Sequence, residues 1–185
     1  MKIITGLLKN RPIISPPGIR PVSNIVRKAC FDILRGEFEG KAVLDLFAGS
    51  GALGIEALSN QARKCTFVDI KRPSVLAIKD NLDRYSLGQL ASVCCLDAYS
   101  FLKKINGSKR RFDIIFLDPP YYKGMLKKSL QCIMEYDILT PLGYIVGFCY
   151  FKEDLCAIDK NFSEICRRRY GQTSLLLIQK INRLQ

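Results

Sequence analysis

Residues 45–54 read DLFAGSGALG, and this stretch decides the class of fold. Its glycines have the spacing G-x-G-x-x-G. They stand between an apolar run at 42–47, which predicts a buried strand, and a helical pattern over 52–60. A glycine turn in this place lets the backbone approach a nucleotide-like ligand at the carboxyl edge of a parallel sheet. The turn by itself does not specify which ligand binds there.

The rest of the chain continues the alternation of strand and helix. Further strands are predicted at 65–69, 92–96, 113–117 and 144–150, and further helices at 74–85, near 99–105 and near 127–136. The segments 162–170 and 173–181 flank Gly171-Gln172 and predict a closing antiparallel hairpin. Apolar strands that alternate with helices predict an α/β fold, with a mostly parallel sheet and helices on both of its faces.

The sequence predicts two structural parts, an N-terminal arm and a larger domain. Residues 1–22 contain short β-prone pieces broken by prolines and predict a small basic hairpin or irregular arm, whereas residues 23–185 predict one compact α/β domain. Ser23 is expected to cap the first helix of this domain, because the apolar residues after it share one helix face. Those residues are Val26, Ala29, Cys30, Ile33 and Leu34, and off their face lie Arg27, Lys28 and Arg35.

The charge of the chain is strongly positive. Its 185 residues include 29 Lys and Arg against 17 Asp and Glu, a net charge of +12, and residues 1–30 carry no acidic side chain. This uneven pattern favours a polyanionic partner, RNA or DNA, over the alternative of a merely lysine-rich soluble surface. The residues expected to contact RNA are Arg20, Arg27, Lys28, Arg167, Arg168 and Arg169.

The eight cysteines and the absence of histidine exclude several kinds of site. Because no C-x-x-C pair occurs and no histidine is present, we expect no metal site and no Ser-His or Cys-His nucleophile. Most cysteines stand in apolar runs, where they act as small hydrophobic residues rather than as a disulfide framework. The longest apolar stretch, 142–151, is too short to cross a bilayer. A protein of the reducing cytoplasm without membrane contact is therefore expected.

Acidic residues in or after the first three strands indicate the ligand. Asp45 lies within the first strand, where its carboxylate would repel the pyrophosphate of NAD but suits a cationic group. Asp69 ends the second strand, where it can accept both hydroxyls of a ribose, and Asp97 follows the third, where it can accept from an adenine amine. These positions favour S-adenosylmethionine, which carries a sulfonium and an ammonium and no phosphate. The alternative is that Asp69 and Asp97 only cap the helices that follow them.

A tetrapeptide, Asp118-Pro119-Pro120-Tyr121, follows the fourth strand at the edge where ligands bind. The exocyclic amine of a base is a poor nucleophile, because its lone pair is delocalised into the ring. Asp118 and the carbonyl of Pro119 can each accept one amine hydrogen, which frees the lone pair to attack a sulfonium methyl group. Tyr121 offers a ring on which the base can stack. The alternative is an ordinary turn at a strand end.

Together these residues resemble the class I, Rossmann-like methyltransferases that methylate amines through an Asp/Asn-Pro-Pro-Tyr/Phe motif. The basic arm with Arg20-Pro21-x-Ser23, then DLFAGSGALGIEAL at 45–58 and IFLDPPY at 115–121, is similar to bacterial 16S ribosomal RNA guanine-N2 methyltransferases over nearly the whole chain. The resemblance implies a seven-stranded sheet with one antiparallel strand and S-adenosylmethionine as methyl donor. It also implies a guanine of small-subunit ribosomal RNA, naked or in the small subunit, as target.

The resemblance further implies the residues of the site. The cofactor would be lined by Asp45, Phe47, Gly49, Ser50, Gly51, Asp69, Ile70, Asp97 and Ala98, and the target base by Asp118 to Tyr121. The arm departs from the usual Arg-Pro-Thr-x-Asp-Arg-Val-Arg-Glu of the family, whose Thr, Asp, first Arg and Glu are replaced by Val22, Asn24, Ile25 and Lys28. These departures bear on RNA docking and on the target nucleotide rather than on methyl transfer.

Four other functions are alternatives to this one. A DNA adenine-N6 methyltransferase uses the same tetrapeptide chemistry but usually carries a separate target-recognition region. A glutamine-amide methyltransferase that acts on protein favours Asn at the first motif position. An RNA-binding protein without catalysis predicts the loss of Asp45, Gly49 or Asp118, and all three are present. An NAD dehydrogenase is disfavoured by Asp45 and by the absence of a histidine or Tyr-Lys proton donor.

Overall fold

The structure, a computed structural model, describes residues 1–19, 22–121, 124–153 and 159–181. Its helices are α1 (Asn24–Ile33), α2 (Ala52–Ser59), α3 (Arg72–Arg84), α4 (Ala98–Ile105) and α5 (Met125–Glu135), with a 3-10 turn at Gly88–Leu90. Its strands are β1 (Ala42–Leu46), β2 (Lys64–Asp69), β3 (Ala91–Cys95), β4 (Phe112–Leu117), β5 (Leu139–Tyr150), β6 (Phe162–Tyr170) and β7 (Thr173–Lys180). Within these described ranges, no helix combines the length and the apolar character needed to cross a membrane.

The seven strands form one sheet in the order β3-β2-β1-β4-β5-β7-β6. Strands β1 to β5 are parallel, and β7 is antiparallel to both β5 and β6. The predicted α/β fold with its C-terminal antiparallel hairpin is confirmed. β5 begins at Leu139 rather than at the predicted Tyr144, because Leu139 still pairs with Phe112 of β4 across a register shift.

Two hydrophobic cores cover the two faces of the sheet. Helices α1, α2 and α3 contribute to the first core, and α4 and α5 contribute to the second. In the first core the rings of Phe31, Phe38 and Phe116 pack with centroid separations of 4.8 to 6.3 Å. Burial on both faces explains why the central strands are almost continuously apolar in sequence.

The connections of the sheet place a crevice beside β1 and β4. From β1 the chain runs outward through α2, β2 and α3 to β3 on one face, and it returns through α4 to β4 on the other face. The segments that leave β1 and β4 therefore diverge, and they open a crevice at the carboxyl ends of these neighbouring strands. Residues 47–51 and 118–121 both lie at this edge.

The N-terminal arm folds back on itself and packs against the domain. The N–H of Ile3 donates to the carbonyl of Arg11 at 2.9 Å, and that of Ile13 donates to the carbonyl of Met1 at 2.8 Å. Ile3 and Ile13 are buried in the first core, so the arm is not a detached segment. As predicted, Ser23 caps α1, since its side chain accepts from the N–H of Val26.

Candidate active site

The turn after β1 is built from left-handed backbone. Phe47, Gly49 and Gly51 have φ values of 70°, 55° and 77°. Glycine adopts this conformation without strain, and Gly51 is the N-cap of α2. Phe47 carries a side chain and is strained there, and strain of this kind concentrates at functional sites. The turn brings main chain rather than long side chains to the crevice between β1 and β4.

Gly54, the third glycine of the motif, sets the distance between α2 and the sheet. A Cβ atom at this position would lie 2.2 Å from Cε1 of Phe67 and 2.7 Å from Sγ of Cys65. Both of these residues belong to β2, so any side chain at Gly54 would push α2 away from that strand. Close packing of helix and strand keeps the N-terminus of α2 at the crevice.

Asp45 is buried at the base of the crevice, with 1% of its surface exposed. Its Oδ2 accepts from the N–H of Gly54 at 2.9 Å. Burial, with a smaller contribution from the nearby carboxylates of Asp118 and Asp69, raises the pKa of Asp45 to about 8, although the bond from Gly54 acts to lower it. Asp45 is thus repelled by two neighbouring carboxylates, and a bound cation would offset this repulsion and favour the charged form of Asp45.

Asp69 holds the glycine turn against the end of β2. Its Oδ2 accepts from the N–H of Gly49 and its Oδ1 from the N–H of Lys71, both at 2.8 Å. The next residue, Ile70, is 65% exposed although it is large and apolar. An exposed apolar side chain beside a carboxylate at the ligand edge is suited to a flat apolar ring next to a hydroxylated sugar.

Asp97 caps α4, which is the structural role predicted as the alternative to cofactor binding. Its Oδ1 accepts from the N–H groups of Tyr99 and Ser100, each at 3.0 Å, and Ala98 is the buried first residue of the helix. The contact of Asp97 with an adenine amine stays a prediction. Ser50 is buried in the turn, where its carbonyl accepts from the side chain of Asn81 at 3.4 Å.

The tetrapeptide lies directly after β4, between β1 and β5. Leu117, which precedes it, pairs with Leu46 of β1 and with Gly147 of β5. Within the tetrapeptide, Pro119 is buried, Pro120 is exposed, and Asp118 and Tyr121 are half-buried. The sheet thus brings Asp118 to the same edge as Asp45 and the glycine turn.

Two residues near the crevice were not identified from the sequence. The ring of Tyr99 packs edge-on against Phe47 at 6.5 Å, and its hydroxyl donates to the carbonyl of Met125 at 3.2 Å. The side chain of buried Asn81 exchanges two bonds with the main chain of Ile14, each at 2.8 Å. Tyr99 therefore joins the glycine turn to α5, and Asn81 joins the arm to α3. The one signal that could have indicated Asn81 is an asparagine on the apolar face of a predicted helix.

The prediction that Arg27 contacts RNA is wrong. Arg27 is fully buried, and its guanidinium donates to the carbonyl of Lys2 and to the side chains of Met1 and Asn24. Its Nε lies 3.6 Å from Oε2 of the equally buried Glu56. The periodicity of α1 placed Arg27 off the apolar face, but the arm and α2 cover that side of the helix.

The other basic residues have different surroundings. Arg20 lies outside the described residues. Lys28 is exposed and forms an ion pair with Asp32 one turn later in α1. Arg167, Arg168 and Arg169 are exposed on β6, where Arg167 pairs with Glu164 at 2.9 Å. The contact of these residues with RNA stays a prediction.

The three arginines of β6 do not form one patch. Arg168 pairs with Leu175 of β7, whose side chain belongs to the first core, whereas Arg167 pairs with Leu176, which belongs to the second. Because paired residues share a face of the sheet, Arg167 and Arg169 lie on the side of α4 and α5, and Arg168 lies on the other side.

Across the described residues, no cluster of three acidic or cysteine side chains could hold a metal ion.

The comparison with known proteins identifies the family. The family model described as conserved hypothetical protein 95 matches residues 1–179. Ribosomal RNA small subunit methyltransferase D of Escherichia coli K12 is 31% identical over 97% of this chain and 90% of its own length. The chain belongs to the methyltransferase D family. A Bacillus subtilis protein provisionally named as an rRNA methyltransferase is 39% identical, over 97% of this chain and 99% of its own length.

Solved structures agree with membership of the methyltransferase D family. A structure from Escherichia coli, provisionally named as a methyltransferase, superposes with a TM-score of 0.88 at 28% identity and covers 99% of both chains. Two methyltransferase structures at 18% and 13% identity share the fold and contain S-adenosylhomocysteine, the product left by S-adenosylmethionine. These two neighbours therefore bind the demethylated form of S-adenosylmethionine, the cofactor that the sequence predicts for this chain.

The residues of this chain fit that cofactor. A left-handed glycine turn leaves space for the ligand beside main chain, and the exposed side chain of Ile70 next to Asp69 suits an adenosine. Asp45, Asp69 and Asp118 make the crevice acidic, which suits a ligand with a sulfonium and an ammonium and disfavours a pyrophosphate. The part taken by each residue in binding stays a prediction.

Proposed function

We propose that this chain transfers a methyl group from S-adenosylmethionine to the exocyclic N2 amine of a guanine in 16S ribosomal RNA. The observation that carries the proposal is the place of Asp118-Pro119-Pro120-Tyr121, directly after β4 and beside the glycine turn that follows β1. A methyl donor at the turn and an amine at the tetrapeptide would lie on the same edge of the sheet, as direct transfer between them requires.

The chemistry asked of the chain is to make an amine nucleophilic. The carboxylate of Asp118 and the carbonyl of Pro119 accept the two hydrogens of the amine, so that the nitrogen becomes pyramidal and its lone pair is no longer delocalised into the ring. The bound cofactor supplies an electrophilic methyl group on its sulfonium. Transfer would break the bond between the methyl group and sulfur, and S-adenosylhomocysteine would leave with the bonding electrons. The nitrogen would become positively charged, and the carboxylate of Asp118 would stabilise that charge before the proton leaves to solvent.

Two parts of the site order the reactants. The strained turn at Phe47, supported by the ring of Tyr99, holds the main chain that faces the donor. The ring of Tyr121 is fixed at its hydroxyl by Thr173 and offers a surface on which the guanine can stack. Neither task needs a histidine or a metal ion.

Ribosomal RNA as substrate is supported by the charge and by the relatives. The net charge of +12 suits a polyanion, and methyltransferase D of Escherichia coli is named for the small-subunit RNA. We place RNA docking on the exposed basic side chains among those predicted, namely Lys28, Arg167, Arg168 and Arg169, together with Arg20. The arm of residues 1–22 and the domain of residues 23–185 would both contribute to it.

One experiment separates the possible substrate classes. Purified protein is incubated with labelled S-adenosylmethionine and, in parallel, with small-subunit RNA, assembled small subunits, duplex DNA and bulk protein. We expect label in RNA, as naked RNA or in the subunit, and none in DNA or protein. Label in DNA alone would overturn the proposal and favour the adenine-N6 alternative, and label in protein alone would favour the glutamine-amide alternative.

A further inference from the structure

Arg169 is stacked on Phe151 at the end of the sheet. Its guanidinium carbon lies 3.5 Å from the centroid of the Phe151 ring, and its Nε donates to the carbonyl of Gly171 at 2.8 Å. A contact at this distance places the guanidinium on the face of the ring, and the bond from Nε holds its orientation. Arg169 is exposed, so the planar cation is ordered by the protein and accessible to solvent.

This pair lies beside the tetrapeptide. Thr173, whose hydroxyl meets that of Tyr121, pairs with Tyr150 of β5 and with Tyr170 of β6. Phe151 follows Tyr150 in the chain, and Arg169 precedes Tyr170. The N–H of Phe151 also donates to the carbonyl of Gln172 at 3.0 Å. The stacked pair therefore belongs to the same end of the β5-β7-β6 ladder as Thr173.

The pair and Tyr121 approach this end of the ladder from different sides. Arg169 pairs with Ser174, the residue after Thr173, so the side chains of Arg169 and Thr173 point to opposite faces. A base bound on Arg169 would accordingly not be the base that stacks on Tyr121. It would be a neighbour of that base in a strand that passes over the edge of the sheet.

The surroundings of the pair suit a nucleic acid. Nζ of exposed Lys152 lies 5.6 Å from the centroid of the Phe151 ring, and the Tyr150 ring packs against the same ring at 4.7 Å. Lys152 and Arg169 thus both place a cation against the Phe151 ring. Cations that surround aromatic rings are typical of sites that bind unstacked RNA bases and their phosphates.

We infer that Arg169, held flat on Phe151, is the stacking site for a nucleobase that adjoins the target guanine. The inference rests on the proposed function, since it takes RNA as the substrate. RNA that is read in single-stranded form stacks its bases on aromatic rings and guanidinium planes. Loss of one such contact weakens binding about 5- to 150-fold by alanine substitution.

The test uses charge-matched variants and RNA that lacks single bases. The substrate is a synthetic RNA that contains the target guanine in unmethylated form. In a series of such RNAs, each nucleotide next to the target is made abasic in turn. The variants are Arg169→Ala and Arg169→Lys, which keeps the charge but not the plane. The control is Arg63→Ala, because exposed Arg63 also donates from Nε to a glycine carbonyl, that of Gly40 at 3.2 Å, but at the opposite edge of the sheet.

We expect one abasic position to raise the KM of the unmodified protein for RNA about 5- to 150-fold. Arg169→Ala and Arg169→Lys raise the KM for intact RNA by a similar factor and become insensitive to the abasic change. In both variants kcat and cofactor affinity stay unchanged, and Arg63→Ala behaves as the unmodified protein.

Three results would overturn the inference. Normal KM in Arg169→Lys would mean that the residue provides only charge, for instance to a phosphate. If every abasic position raises the KM of Arg169→Ala by the same factor as that of the unmodified protein, no base stacks on Arg169. If the unmodified protein methylates no RNA at all, the proposed function is wrong and the stacking site falls with it.

Discussion

The hydroxyl groups of Tyr121 and Thr173 lie 2.8 Å apart and share a hydrogen bond. Tyr121 ends the tetrapeptide after β4, whereas Thr173 is the first residue of β7. The closing hairpin thus contacts the candidate catalytic segment directly, across β5. Its antiparallel strand completes the sheet and also fixes the ring that would stack the target base.

Replacing Thr173 by Val should impair use of the RNA substrate. The valine keeps the branched shape but cannot bond to Tyr121, and a hydrogen bond of this kind contributes about 0.5–1.5 kcal/mol. We expect kcat/KM for RNA to fall about 2- to 10-fold, with unchanged affinity for the cofactor. Steady-state methylation at varied RNA concentration measures this.

Thr173→Ser keeps the hydroxyl and is the matched control, with near-normal kcat/KM. Tyr121→Phe should lose about as much as Thr173→Val, and the double variant should lose no more than either, because both single changes remove the same bond. Fully additive losses would show that the two hydroxyls act independently.

Cofactor binding should depend on pH through Asp45. Burial and neighbouring carboxylates raise the pKa of Asp45 to about 8, so most of the unliganded protein carries it protonated at pH 7. A cationic ligand favours the carboxylate, so binding at pH 7 should release a proton and should strengthen as the pH rises toward about 8. Calorimetry in two buffers of different ionisation enthalpy measures the protons released.

Asp45→Asn should bind the cofactor weakly and without proton release.

The same variant should also change how the free energy of unfolding depends on pH. In the unliganded protein the folded state keeps the proton of Asp45 between the ordinary pKa of 3.8 and about 8, so the free energy of unfolding falls over this range as the pH rises. That slope should be smaller in the variant. Proton release equal in both proteins would assign it to another group.

Gly54→Ala should displace α2 and destabilise the fold. The added Cβ would lie 2.2 Å from the Phe67 ring, and overpacking of this kind costs about 1–3 kcal/mol. Cofactor affinity should fall as well, because the N-terminus of α2 belongs to the crevice. Gly88→Ala is the control, since the nearest atom to its Cβ, Oδ1 of Asp83, lies 3.8 Å away. Equal stability of the two variants in urea denaturation would contradict this.

Arg27 is expected to contribute to stability rather than to RNA binding. Arg27→Met would leave the buried carboxylate of Glu56 without its cation, a change that costs about 3–5 kcal/mol. Arg35→Met should change stability by less than about 0.5 kcal/mol, because 82% of the Arg35 side chain is exposed. Thermal and urea denaturation of both variants compare them. A marginal effect of Arg27→Met would show that the pair adds little to the fold.

The fold could be predicted because its signals are local. Apolar strands, the glycine turn and the capping serine each occupy a few consecutive residues, and together they specify the alternation that forms the parallel sheet. The candidate site followed from the same logic, since strand ends in such a sheet meet at one edge. Asp45 and Asp118 are 73 residues apart in sequence, yet their carboxylates interact in the structure.

The contacts between distant elements could not be predicted in this way. Arg27 looks like a surface residue of an amphipathic helix, and its burial depends on the arm and on Glu56 of α2. Glu56 was the available signal, because it is the one charged residue in a helix that is buried along its whole length. Thr173 gave no signal at all, since a threonine at the start of a strand is ordinary.

The most direct test of the account identifies the methylated atom. Small-subunit RNA is treated with the unmodified protein or with Asp118→Ala, digested to nucleosides and analysed by mass spectrometry, while cofactor binding is measured separately. We predict N2-methylguanosine from the unmodified protein. From Asp118→Ala we predict a large loss of that product with cofactor binding retained. Methylation at a carbon or ribose oxygen, or normal turnover by Asp118→Ala, would contradict it.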